Sequence, residues 1–389
     1  MKFNARQHAL TLALICLLLA PPHAVRAQKS NDRAGRLERA ASLISSDQLA
    51  EAERELNQVL KVRPEEAAAL NLLGAVRAKQ GKLDEAEALF TRAVRSNKAL
   101  TGARMNLAYL FLLKREPEKT ATELREVLRL EPANAEAAYR LAWLLLTQGR
   151  ADECISLFEQ VRQTQKPSAP LLAVAGDAYL RRGDTSKAIA ALKQASEQSP
   201  AEPSYHYALG VAWLKHPPDL HEAEQSLRRF LNLRPDDAQG QLHLGYVLLK
   251  QKRHAEAREL LERSLQKGAG TPEAFYYLGL IAQGQNEDER AIALFEKSIQ
   301  LAPSFGHVHV ALGSTYLKLK DYARAQQALE TGAKLTPDDS KAHYNLAMLY
   351  ARLKQPERAQ EEMRIVERLK SEGKAQEDAG DTLAPPPPR

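Results

Sequence analysis

Residues 169–202 read APLLAVAGDAYLRRGDTSKAIAALKQASEQSPAE, and this stretch decides the fold. Its apolar residues fall into two sets. Leu172, Ala175, Gly176 and Tyr179 share one helical face, and the set stops at Gly183. Ala188, Ala191, Leu192 and Ala195 form a second face that stops before Pro200. Apolar residues at i, i+3, i+4 and i+7 predict two amphipathic helices. Gly183 suits the left-handed residue after a helix, and Pro200 cannot continue one. Where paired helices cross, a small side chain lets the axes approach, and Gly176 and Ala188 stand at those places.

The unit recurs. Gly176, Gly210, Gly245, Gly279 and Gly313 follow at intervals of 34, 35, 34 and 34 residues, and Gly74 stands three periods upstream. In phase with them run Ala52, Ala86, Ala188, Ala223, Ala257, Ala291, Ala325 and Ala359. Pro64, Pro132, Pro200, Pro235, Pro303 and Pro337 form a third ladder. A helical unit repeated at fixed period buries its apolar face only against its neighbours, which predicts an all-α solenoid extending one core. The chain's 389 residues would otherwise suggest two or three domains.

The pattern resembles the tetratricopeptide repeat. Repeat two supplies Leu70, Leu73, Gly74, Ala86 and Phe90; repeat eight supplies Phe275, Leu278, Gly279, Ala291, Phe295 and Pro303. Repeat nine supplies Leu312, Gly313, Tyr316, Ala325, Leu329 and Pro337. Ten units are counted: 33–66, 67–100, 101–134, 135–168, 169–202, 203–237, 238–271, 272–305, 306–339 and 340–371. The resemblance implies a right-handed superhelical α-solenoid with a concave groove. Repeat six is one residue longer, with Pro217-Pro218 in place of the usual turn glycine, which predicts a rigid, reshaped corner. Thr120 and Cys154 occupy the small position of repeats three and four. The last helix carries Ala359, Met363, Val366 and Leu369 on one stripe, and is expected to run to about 375 and cap the stack itself. Residues 376–389, ending in four prolines before Arg389, are expected to be a disordered tail.

The first 27 residues read as a secretory signal peptide. Lys2 and Arg6 precede the apolar run Ala9 to Ala20, Pro21-Pro22 stop it, and Val25-Arg26-Ala27 offers a cut before Gln28. The run is short for a bilayer span. Cys16 follows the bulky Ile15, against a lipoprotein site. Residues 28–32 would form a short lead. The expected address is the periplasm or the exterior of a bacterial cell, with no integral membrane span after cleavage. Removing 1–27 leaves 52 basic against 49 acidic residues, so the net charge falls from +6 to +3 and carries no nucleic-acid footprint. Only Cys154 remains, which excludes an intramolecular disulfide.

Chemistry is absent from the motifs. There is no phosphate loop, no His-Glu-x-x-His and no nucleophile elbow, so no enzyme, cofactor or metal is expected. His206, His309 and His343 fall at the fourth position of their repeats and are expected to pack there in place of an aromatic. His307 and His309 lie about 200° apart on a helix and cannot share an ion. Cys154 reads as a small buried hydrophobe.

The resemblance places positions 2, 5, 9, 12 and 13 of each first helix in the groove. Position five supplies Tyr139, Tyr207, Tyr276 and Tyr344, and position nine supplies Trp143 and Tyr246. Rings facing a groove anchor a peptide well, although tyrosine at position five also packs between repeats. Arg140 and Asp177 are counted in the same candidate set. Position thirteen supplies Lys79, Arg181, Lys215, Lys250, Lys318 and Arg352, either a basic stripe for an acidic chain or a solvated edge near helix C-termini. The family's carboxylate clamp needs Lys at position five and Asn at nine of one repeat, and no repeat has both. The expected function is a non-enzymatic envelope scaffold binding extended peptide or a partner protein. A carbohydrate-binding or polysaccharide-export module, with sugars stacked on the Tyr/Trp groove, is the alternative.

Overall fold

The computed structural model describes residues 31–215, 218–267 and 270–371. Among them every regular element is an α-helix. In chain order these are α1 (Asn31–Ser45), α2 (Leu49–Val62), α3 (Ala67–Lys79), α4 (Leu83–Ser96), α5 (Thr101–Leu113), α6 (Pro117–Leu130), α7 (Ala135–Thr147), α8 (Ala151–Thr164), α9 (Ala169–Arg181) and α10 (Thr185–Gln198). They form one compact unit that ends at Gln198. A second unit, from Ser199, holds α11 (Pro203–Trp213), α12 (Leu220–Leu233), α13 (Ala238–Lys250), α14 (His254–Lys267), α15 (Pro272–Gly284), α16 (Asp288–Leu301), α17 (Gly306–Lys318), α18 (Tyr322–Leu335), α19 (Ser340–Arg352) and α20 (Pro356–Ser371). The leader at 1–27, the Pro217 corner, the run-on beyond Ser371 and the tail at 376–389 lie outside the described residues.

Within each unit consecutive helices pair, and each pair packs on the one before it. The crossing inside a pair is made by position eight of the first helix and position twenty-four of the second. A Cβ on Gly176, Gly245 or Gly313 would lie 2.6–2.8 Å from Cγ of Leu192, Leu261 or Leu329. Those three leucines are 0–1% exposed. Position twenty of the second helix is equally closed: Ala52, Ala86, Cys154, Ala188, Ala223, Ala257, Ala291 and Ala325 are all at 0%. Thr120 fits there because its hydroxyl donates to the Glu116 carbonyl at 2.9 Å, which satisfies a polar atom that burial would otherwise strand. Burial raises the Cys154 thiol to about 12, so it stays protonated and inert.

Among the described residues, the turn inside every pair but that of repeat six has one left-handed residue at position fifteen. Gly183 has φ +79°, its N–H bonds the Leu180 carbonyl, and the Asp184 N–H bonds that of Tyr179. This is the double closure of a helix C-terminus on a left-handed residue. The geometry persists without glycine: Asp47, Arg115, Lys252, Asn286, Lys320 and Lys354 have φ between 57° and 62°. A side chain there crowds the following carbonyl. Lys320→Gly is therefore expected to raise the second unit's stability by about 0.5–1 kcal/mol, seen as a higher urea midpoint at unchanged slope. A lower midpoint would refute the strain.

In the second unit a repeated side-chain bond fixes four of the five repeats to the turn before them, repeat eight having Phe275 at the bonding position. His206 Nε2 donates to the Pro200 carbonyl at 2.8 Å, and Gln241 Nε2 to that of Pro235 at 2.8 Å. His309 does the same to Pro303 at 2.9 Å and His343 to Pro337 at 3.0 Å. The expectation that these histidines merely replace an aromatic was incomplete. They pack, and they also satisfy a turn carbonyl that has lost its helical partner. Each bond reaches back six residues to a ladder proline, a spacing readable in the sequence but not extracted from it.

Candidate functional site

The sharpest constellation on the first-helix faces lies in the first unit. Glu136, Tyr139, Arg140 and Trp143 stand at i, i+3, i+4 and i+7 on α7, so they share one face. Glu136 Oε1 accepts from Arg140 Nε at 2.6 Å and from the Tyr109 hydroxyl of α5 at 3.1 Å. The Arg140 guanidinium carbon sits 5.2 Å from the Tyr109 ring centre and 5.6 Å from that of Tyr139. Two aromatic faces and a carboxylate thus hold one cation in place. Burial alone would depress the Arg140 pKa, but Glu136 outweighs it and the net displacement is upward. The Tyr139 hydroxyl is raised, chiefly by burial. Trp143, Tyr139 and Arg140 are each partly exposed.

Three of the six position-thirteen cations, Lys79, Arg181 and Lys318, are neither free nor simply solvated. Lys79 Nζ pairs with Asp47 at 2.9 Å, in the turn of the preceding repeat. Lys318 Nζ reaches Asn286 and Asp288 of its preceding repeat, both at 2.8 Å. Arg181 Nη1 donates to the Leu146 carbonyl at 2.9 Å, and Nη2 meets Asp177 at 3.3 Å. Each therefore latches a repeat to its predecessor, where helix C-termini favour cations. Lys215 and Lys250 are partly buried, and Arg352 and Asp177 are exposed.

The tyrosine set divides by burial, and this corrects the expectation of one groove-facing row. Tyr246 is 5% exposed and Tyr276 3%. Both belong to an aromatic core: Tyr246 lies 5.4 Å from Tyr277, and Tyr276 lies 5.1 Å edge-on to Phe305 and 5.5 Å from Tyr277. Desolvation holds the Tyr276 hydroxyl far above its ordinary range. Tyr207 is partly buried, packed edge-on to His243 at 5.4 Å and tilted on Phe230 at 5.1 Å. Tyr344 is 44% exposed, and so is its neighbour one turn on, Met348, at 38%. The sequence did not single out Tyr109 or Glu136, which complete the α7 cluster. The i, i+4 relation of Glu136 to Arg140, with Tyr109 at position nine and Glu136 at position two of their repeats, was the available signal.

Among the described residues no three potential ligands among His, Cys, Asp and Glu converge on a point, and no helix is long and apolar enough to cross a membrane.

Comparison with known proteins agrees with this architecture. Family models of tetratricopeptide repeats match residues 37–100, 111–168, 219–272, 280–343 and 320–370, and a model described as TPR repeat matches 176–216. A TPR repeat-containing protein of Pseudomonas aeruginosa is 30% identical over 153 residues, 38% of this chain. The match spans only 26% of that protein's length. Among solved structures, the Cut9–Hcn1 hetero-tetramer of the APC/C superposes with a TM-score of 0.52 at 16% identity, covering 87% of this chain and 81% of the other. Proteins of this build commonly serve as protein–protein interaction scaffolds. The chain is built of tandem tetratricopeptide repeats and belongs to that family.

Proposed function

We propose that the chain is a non-enzymatic scaffold of the bacterial cell envelope, exported by its N-terminal leader, which binds an extended peptide or partner protein on the first-helix faces of its repeats. The observation that carries the reading is the α7 cluster: a partly exposed Trp143 and Tyr139 beside a cation held rigid by its neighbours. Rigid aromatic and arginine side chains lose little entropy on contact and dominate binding surfaces. Stacked sugars need exposed rings in succession, and the burial of Tyr246 and Tyr276 weighs against that alternative.

The test is photo-crosslinking in the native cell from position 147, exposed one turn beyond Trp143 on α7. A defined protein adduct is expected, in the periplasmic fraction, on a chain beginning at Gln28. Combined Tyr139→Ala and Trp143→Ala should remove the adduct while helicity persists. An undiminished adduct in that variant would show the face to be wrong, and a cytoplasmic, uncleaved chain would overturn the address. Tyr246→Ala is unsuitable here, because removing a buried ring perturbs the core.

A further inference from the structure

Arg140 is bound at its Nε and stacked by two rings, yet among the described residues neither of its terminal nitrogens makes a hydrogen bond. Its side chain keeps 17% exposure. A guanidinium fixed at one edge and open at the other is prepared to take a carboxylate in its fork. A second guanidinium, that of Arg181 on α9, reaches the C-terminal turn of α7, where it is anchored on the Leu146 carbonyl and stays 49% exposed. Arg140 and Leu146 are six residues apart, about 9 Å along the axis of α7. Trp143 stands halfway between them. Cation, indole and cation therefore follow one another in that order along α7, Arg140 leaning toward Tyr109 of α5 and Arg181 reaching in from α9.

We propose, building on the scaffold reading above, that the first unit binds an acidic peptide segment. An Asp or Glu side chain meets Arg140, an apolar residue packs on Trp143, and a second acid farther along the peptide meets Arg181. Charge complementarity selects this occupant over a polyphosphate backbone. Each guanidinium already has an acid beside it, Glu136 for Arg140 and Asp177 for Arg181, which suits isolated carboxylates and repels a dense run of phosphates.

The experiment pans a random nine-residue peptide library, displayed on phage, against the full chain and its Arg140→Gln and Trp143→Ala variants. Circular dichroism confirms that each variant is folded. Wild-type selection should enrich Asp and Glu on either side of an apolar residue. A synthetic peptide of that consensus, with amidated C-terminus, should bind about tenfold more weakly to Arg140→Gln. Exchange of its acids for Asn and Gln should cause a similar loss. Equal recovery of neutral peptides on the wild type and Arg140→Gln, with loss on Trp143→Ala, overturns the acidic preference and leaves the peptide-binding face standing. Recovery of no peptide by the wild type overturns both. Full displacement of the consensus peptide by a 20-nucleotide oligothymidylate overturns the proposal in favour of nucleic acid. If Arg140→Gln fails to fold, the exposed Arg181→Gln replaces it, and undiminished enrichment of the second acid in that variant refutes the second contact.

Discussion

Phe295→Ala is expected to lower the stability of the second unit by about 3–5 kcal/mol, the range for deleting a fully buried ring. Phe295 is 0% exposed. Its ring fills the crossing of α15 and α16 so closely that a Cβ on Gly279 would lie 2.4 Å from it. It also meets Tyr276 at 6.2 Å between ring centres. The void cannot close by sliding one helix inward, because α15 and α16 are also held by the pairs on either side. In a solenoid the lost energy falls on one repeat and its interfaces, so unfolding should cease to be a single transition. Urea denaturation followed by circular dichroism should broaden, and hydrogen exchange should accelerate first in α15 and α16. An unchanged midpoint would show that Phe295 contributes no core. Met363 occupies the same position of the last repeat at 38% exposure, and Met363→Ala should have much the smaller effect.

That contrast explains how much of the molecule was legible from the residues alone. The period was readable because every repeat spends its small residues at the same two crossings, and the helix pairs follow it. Glycine 34 residues apart encodes a local contact that a single unit completes. The exposure of a position-five tyrosine is another matter, since the repeat that follows decides it. Phe305, at the head of the next pair, covers Tyr276, whereas no described pair follows Tyr344. The same residue type in the same phase is therefore core in one repeat and surface in another. The latching of position-thirteen cations was hidden for a related reason: Lys79 finds Asp47 and Lys318 finds Asp288 some thirty residues upstream. Within the candidate site the i+4 pairing of Glu136 with Arg140 was accessible, but the stacking on Tyr109 needed the neighbouring helix.

Gly313→Val is expected to lower the stability of the second unit by about 1–3 kcal/mol, in the range of overpacking strain. A Cβ there would lie 2.6 Å from Cγ of Leu329 and 3.0 Å from the Leu329 backbone nitrogen. A rotamer change can move the first atom but not the second, so α17 and α18 must separate. The better helix propensity of valine over glycine returns only a few tenths of a kcal/mol. Other repeats show what separation looks like when the sequence provides for it: Ala40, Ala108, Ala142 and Ala347 take the same position, all buried. Alanine is therefore compatible with the fold, and Gly313→Ala should cost less than the valine. The steric account is tested by a double-mutant cycle with Leu329→Ala, which removes the obstructing side chain. If crowding is the cause, the two losses are strongly sub-additive, because the cavity left by Leu329 accepts the valine methyl groups. Strict additivity would mean that Gly313 matters for its backbone and not for its lack of a side chain.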